Sequence, residues 1–256
     1  MKHTCRQLYC VVTLILLFTT SSCMYAQTSA ARNIVIVHGA FADGSGWEAV
    51  FKLLQAKGYN VTIVQNPLTS LEDDVDATNR ALDKQPGKVI LVGHSWGGAV
   101  ITQAGVHPKV SSLVYVAAFA PDMGQSALDL IMTAPPAPEN GILPPDEKGF
   151  VYYDKTKFHM GFAADISAEK ADFMFASQGP IAGKCFTTPL SQIAWKSKPT
   201  YAIVATEDKS INPETERAMY KKANAKITEV KSSHVIYMSH PKAVADVIET
   251  AARESK

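Results

Sequence analysis

The stretch Lys88-Val89-Ile90-Leu91-Val92-Gly93-His94-Ser95-Trp96-Gly97-Gly98 decides how this chain is read. Its first half, Lys88 to Val92, is a short run of β-branched and aliphatic residues. That is the pattern of a strand buried on both faces of a parallel sheet. Its second half matches G-x-S-x-G and leads into a helical segment, Ala99 to Val106. A serine at such a strand-to-helix turn is lifted above the sheet at a helix N-terminus, where developing negative charge is favoured. The turn is strained, and side chains at Gly93 or Gly97 would collide with neighbouring backbone. Ser95 is therefore the candidate nucleophile.

Strand and helix patterns alternate on either side of this stretch. Asn33 to Val37, Val61 to Val64, Val110 to Ala118, Pro199 to Ala205 and Ile227 to Val230 read as strands. Trp47 to Ala56, a segment from Ser70 through Leu82, Pro213 to Ala223 and Pro241 to Ala252 read as helices. Ser70 is a cap for the second of these, with Glu72, Asp73 and Asp74 favourable at its positive end. Pro86-Gly87 ends it, and Pro213 and Glu214 suit the start of the third. Such alternation predicts an α/β fold: a mostly parallel sheet of about six strands with helices on both faces, and ligand sites at the carboxyl ends of the strands. The rhythm breaks between Pro121 and about Leu190. That stretch holds Pro135, Pro136, Pro138, Pro144 and Pro145, several aromatic residues, and short helical pieces such as Ser167 to Ala176. A stretch of that length without strands reads as an inserted unit rather than a loop.

Composition narrows the class. The hydrophobic share is 46% and the charged share 19%, ordinary for a globular chain with its own core. A net charge of +1 and the absence of a long basic run argue against a nucleic-acid footprint. No Cys/His spacing suggests a metal. The N-terminus is different material: Lys2 and Arg6, then a largely apolar run from Leu8 to Phe18, then the small polar run Thr19 to Ser22. This order is that of an export signal, residues 1–26, leaving a mature domain of 27–256. Cleavage after Ala26, or near Ala30 and Ala31, would place the product in the periplasm or outside the cell. The apolar run is too short for a stable membrane span. Ser21-Ser22-Cys23 offers a lipid-anchored alternative. Cys5, Cys10 and Cys23 lie in or beside the signal, so Cys185 is left without an internal disulfide partner, and no nucleophile motif surrounds it.

A serine hydroxyl needs a base. Among the histidines, His38 and His94 sit inside backbone motifs, His107 and His240 precede prolines, and His159 lies in the insertion. His234, in Lys231-Ser232-Ser233-His234, directly follows the last strand, from where an imidazole can reach over the strand ends to Ser95. The base in turn needs a carboxylate. Asp208 follows the strand ending at Ala205 and is preferred, with Glu207 beside it and Asp122 after the fourth strand as alternatives. Two backbone N–H groups are expected to hold an oxyanion, that of Trp96 and that of Ala40 in His38-Gly39-Ala40-Phe41.

The order Ser, Asp, His is that of the α/β-hydrolase superfamily, which the chain resembles from Asn33 to the C-terminal helix. His38-Gly39-Ala40-Phe41-Ala42-Asp43-Gly44-Ser45-Gly46-Trp47 resembles the oxyanion segment of bacterial esterases related to plant methyl-salicylate esterases and hydroxynitrile lyases. Ala205 to Pro213 resembles their acid loop, and Ser232-Ser233-His234 their base loop. The resemblance implies an α/β-hydrolase fold with a helical cap at about 121–190, and a small-molecule ester as substrate with no cofactor. Related lyases carry a lysine after the base and a threonine two positions before the oxyanion alanine's counterpart. Val235 and His38 stand there instead, which favours ester hydrolysis. Phe41, Trp96, Phe119, Phe158, Phe162, Phe173 and Phe175 are candidates for apolar pocket walls. A cofactor-free lyase or perhydrolase on the same fold, or a non-catalytic ligand receptor, are the rival readings. The oligomeric state is open.

Overall fold

The computed structural model describes residues 31–255. The export signal read at 1–26, with Cys23, lies outside them.

Six strands form one parallel sheet: β1 (Asn33–Val37), β2 (Asn60–Val64), β3 (Val89–Ser95), β4 (Val110–Ala118), β7 (Thr200–Ala205) and β8 (Lys226–Val230). The remaining pair, β5 (Phe150–Val151) and β6 (Ile181–Ala182), forms a separate antiparallel ribbon. The main order is β2-β1-β3-β4-β7-β8. The inner strands β1, β3 and β7 are buried along their whole length, as their unbroken aliphatic runs require. The chain steps outward from β1 to β2 and then crosses to β3 on β1's other side. A sheet that reverses direction in this way opens a crevice beyond the strand ends. The β1 loop His38 to Phe41 and the end of β3 at Ser95 both flank that crevice.

Two helix pairs flank the sheet. α1 (Glu48–Gln55) packs with α10 (Pro241–Glu254), and α2 (Leu71–Asp83) packs with α3 (Trp96–Ala104). Ser70 caps α2 by accepting from the Asp73 N–H at 3.0 Å. α8 (Pro213–Lys222) lies against β7, and α9 (Ile236–Ser239) is a single turn leading into α10.

The segment between β4 and β7 carries α4 (Ala127–Ile131), α5 (Lys155–Phe162), α6 (Ala168–Ser177) and α7 (Gly183–Thr187) together with the ribbon. It is not strand-free as the sequence suggested. The two-residue strands are too short to show an alternating pattern. The ribbon is seated on the core by the Ala182 N–H, which donates to the Leu68 carbonyl at 2.8 Å. Among the described residues no helix is long and apolar enough to cross a membrane.

The end of β4 is pinned from α8. The backbone turns left-handed at Ala117 (φ 45°), and the Tyr220 hydroxyl, wholly buried, accepts from the Ala118 N–H at 2.7 Å and donates to the Ala118 carbonyl at 2.8 Å. One residue further, the Phe119 N–H donates to the Ser95 carbonyl at 3.1 Å. Tyr220→Phe removes both hydroxyl bonds from buried backbone groups and is expected to lower unfolding stability by about 1–3 kcal/mol. Urea denaturation checks this; an unchanged midpoint would show that the hydroxyl is not the pin.

Candidate active site

Ser95 ends β3 with φ 52° and ψ −122°, a left-handed conformation that costs a non-glycine residue on the order of 1–3 kcal/mol. Close packing around the turn imposes it. A Cβ on Gly93 would lie 2.5 Å from the Gly97 carbonyl oxygen, and one on Gly97 would strike the Val37 carbonyl oxygen at the end of β1. The sheet register shifts between His94 and Ser95 at the same point. The serine thus stands at the N-terminus of α3, followed at once by Trp96.

The base and acid meet as the loops after β8 and β7 bring them. The Nδ1–H of His234 donates to Asp208 Oδ2 at 2.5 Å, with both side chains fully buried. A carboxylate only accepts, so Nδ1 holds the proton and Nε2 is the basic nitrogen. Asp208 is fixed through its other oxygen, which accepts from the N–H groups of Ser210 (2.7 Å) and Ile211 (3.0 Å). His234 Nε2 is buried and has no hydrogen-bond partner, Ser95 Oγ included. A nucleophile–base contact of this kind often tightens only when substrate binds. The other carboxylates are placed elsewhere. Glu207 reaches out to Lys231 at 3.4 Å. Asp122 pairs with Lys222 and Lys196, and the Lys222 ammonium with the Met123 N–H holds its pKa down at about 2.

The β1 loop closes against the serine from the other side. A Cβ on Gly39 would fall 2.6 Å from Ser95 Cβ and 3.0 Å from His94 Nδ1, so only glycine lets this backbone approach. His38 shapes the loop and is not a base. Its Nε2 accepts from the Asn66 N–H at 3.0 Å, which leaves Nδ1–H to donate to the Gly39 carbonyl at 2.9 Å. Burial lowers its pKa and keeps the ring neutral. Ala40 and Phe41 follow, Phe41 with φ 57°.

A cavity of about 830 Å³ opens beside the acid loop. Its walls include Phe119, Leu130, Ile142, Val151, Phe186 and Ile211, and it borders the acid loop from Asp208 to Pro213, with Ser95 and His234 outside its lining. Of the phenylalanines expected to wall a pocket, Phe119 does so. Phe41, Phe158 and Phe162 instead form a buried edge-to-face cluster around Tyr153, with Phe162 presenting its edge to the His234 ring at 4.8 Å. Phe173 is 67% exposed and walls nothing, because it lies on the outer side of α6. Phe175 packs edge-on against Phe158, and Trp96 is buried against Phe186. Cys185 is wholly buried, and burial pushes its thiol pKa up to about 12, which leaves it inert as a nucleophile.

Along the chain the glycine loop comes first, and the serine of the strained turn, the acid and the base then follow in the order Ser, Asp, His. A model of the alpha/beta hydrolase family matches residues 34–247. The chain belongs to this family. The pyrethroid hydrolase of Sphingobium wenxiniae is 26% identical over 252 residues, spanning 84% of this chain and 86% of its own. The crystal structure of a pyrethroid hydrolase from Sphingobium faniae aligns with a TM-score of 0.74 at 25% identity, covering 87% of this chain and 97% of that one. Polyneuridine aldehyde esterase shares the fold, with a TM-score of 0.74 at 21% identity over 86% of this chain and 98% of its own.

In this alpha/beta hydrolase two further residues organise the site, neither of them evident in the sequence. His94, fully buried and kept neutral by that burial, donates from Nε2 to the His234 carbonyl at 3.0 Å, tying the serine turn to the base loop. Asp165, between α5 and α6, accepts from Ser232 Oγ at 2.7 Å, from the Ser233 N–H at 2.9 Å and from Ser233 Oγ, and so anchors the base loop to the inserted segment. A histidine next to the nucleophile and an acid in an irregular segment carry no spacing that would single them out. Asp208→Asn puts an N–H₂ donor opposite His234 and is expected to move its neutral-form proton from Nδ1 to Nε2. The ¹⁵N chemical shifts of the labelled ring read this directly; unmoved shifts would mean that Asp208 does not set the tautomer.

Proposed function

We propose that this chain is a serine esterase that cleaves a small carboxylic ester through an acyl-enzyme on Ser95. The observation that carries the proposal is the His234–Asp208 contact of 2.5 Å, which leaves a buried, unpaired Nε2 over the strand ends where Ser95 is raised. Nε2 takes the Ser95 proton as the oxygen attacks the ester carbonyl. The carbonyl π electrons move to oxygen, which the N–H groups of Ala40 and Trp96 hold. The C–O bond to the alcohol then breaks, and the imidazolium returns its proton to the leaving alkoxide. Water repeats the sequence on the acyl-enzyme and releases the acid.

The apolar cavity beside Asp208 supports an ester with a hydrophobic portion, since its volume falls in the range that small-molecule sites occupy, roughly 300–1,000 Å³. Of the similar proteins, one is named a pyrethroid hydrolase and another an aldehyde esterase, which supports a hydrolytic reaction. Val235, buried and apolar, follows the base where the related lyases have lysine, so this position supplies no cation beside His234, which favours ester hydrolysis. The leader read at residues 1–26 would put this activity outside the cytosol.

Ser95→Ala is expected to reduce turnover of p-nitrophenyl acetate by about 10⁴-fold or more while leaving the folded protein intact by circular dichroism. A fluorophosphonate should label the parent and not the variant. Undiminished hydrolysis by Ser95→Ala would defeat the proposal.

A further inference from the structure

Asp74 is a carboxylate in the core that the proposed mechanism does not use. It lies on α2 with no exposed surface. Its Oδ2 accepts from the Trp96 indole Nε1–H at 2.7 Å, and its Oδ1 accepts from the Leu68 N–H at 2.7 Å. Both partners belong to the site's frame. Trp96 is the residue after the nucleophile and supplies the second oxyanion N–H. Leu68 holds a left-handed backbone (φ 56°), and its carbonyl receives the Ala182 N–H that seats β6. The Trp96 ring also meets Phe186 of α7 edge-on, with centroids 5.7 Å apart, and Phe186 walls the cavity.

From these contacts we infer that Asp74 is a positioning residue of the reaction, resting on the serine-esterase reading: one buried carboxylate fixes the oxyanion residue Trp96 and, through Leu68, the segment β6–α7 that walls the cavity. The two ends of the site are thereby held in one register. Without this anchor the buried indole N–H loses its partner, and the Trp96 backbone that carries the oxyanion N–H is no longer tied to α2.

The energetics agree. Burial raises the Asp74 carboxyl to about 6, against the opposing pull of the Trp96 and Leu68 N–H donors. Asp73 on the same helix adds to the rise, and Cys185 and Lys184 of α7 are the titratable groups on the facing element. A folded-state value above the unfolded one means that this group weakens the fold as pH climbs through that range. A carboxylate kept where it costs stability points to a task in the site.

The test uses the mature enzyme and p-nitrophenyl esters. Asp74→Asn keeps the side-chain size but presents a donor where one of two donors must be accepted. Trp96→Phe keeps the backbone N–H and the ring but removes the indole donor. Each is expected to lower kcat by about tenfold to a hundredfold, as misplacement of a catalytic group does, with KM within about threefold of the parent. The double variant should lose no more than the worse single, because both cut one interaction. A kcat unchanged in Asp74→Asn, a loss confined to KM, or losses that multiply in the double variant would overturn the inference. Should Asp74→Asn not fold, an unchanged kcat in Trp96→Phe overturns it alone. Fluorophosphonate labelling separates the two readings. A parent that does not label defeats the esterase reading, while a parent and an Asp74→Asn variant that label at equal rates defeat only the role of Asp74.

Discussion

The left-handed backbone at Ser95 is the constraint on which the rest of the molecule turns. An unsupported chain would relax it, so something must force the conformation. Glycines at 93 and 97 let β3, α3 and the end of β1 close to distances that any side chain would forbid. The closure is held by the buried inner strands β1 and β3 and by the packing of α2 on α3. The hydrophobic core is thus the source of the strain as well as of stability. A well-packed sheet supplies the several kcal/mol that a strained residue and several buried polar groups consume.

Those buried polar groups form a layer of their own over the strand ends. His38, Asp74, His94, Asp208 and His234 are all inaccessible to solvent or nearly so. Each is held by at least one hydrogen bond to backbone or side chain, as burial demands. Several bonds of this layer run between segments that are distant in sequence. His94 reaches the base loop, Asp165 reaches it from the inserted segment, and Asp74 reaches both the serine turn and the loop after β2. The result is a polar scaffold laid over the strand ends, with the apolar sheet beneath it. Glu216 of α8 is also fully buried near this scaffold. Burial and the neighbouring Asp208 charge push its carboxyl well above the usual range.

The sheet was legible because its signal is redundant. Each buried strand is an aliphatic run of several residues, and each polar motif falls just past one. The contact of His234 with Asp208 was legible for the same reason, since a nucleophile motif in the right setting restricts where a base and its acid can stand. Asp208 was preferred over Glu207 and Asp122 from position alone, and the structure separates the three by side-chain direction, with only Asp208 turned to His234. The ribbon Phe150–Val151 with Ile181–Ala182 was not legible, because two residues cannot display a period. Asp74 was read only in part: it does stand in the first turn of α2, but its burial was not seen. Acidic residues near a helix start do favour the helix dipole, and Asp73 fits that account. Position 74 also lies three after Leu71 and four before Thr78, both buried on the inner face, so the helical period itself placed it inward. The apolar pocket was the least legible part, since a phenylalanine in an inserted segment packs on its neighbours as readily as it faces a ligand.

The base hangs from the last strand of the sheet. β8 pairs on one side only, with β7, and Lys226 to Glu229 are open to solvent, while the serine turn is rooted in the centre. Edges of sheets open at lower free energy than centres do. Fraying of this one strand would carry the imidazole away while β1, β3 and β4 stayed paired. Heat inactivation and loss of bulk sheet signal would then be two separate events in this molecule, the first governed by a rim that the second scarcely involves.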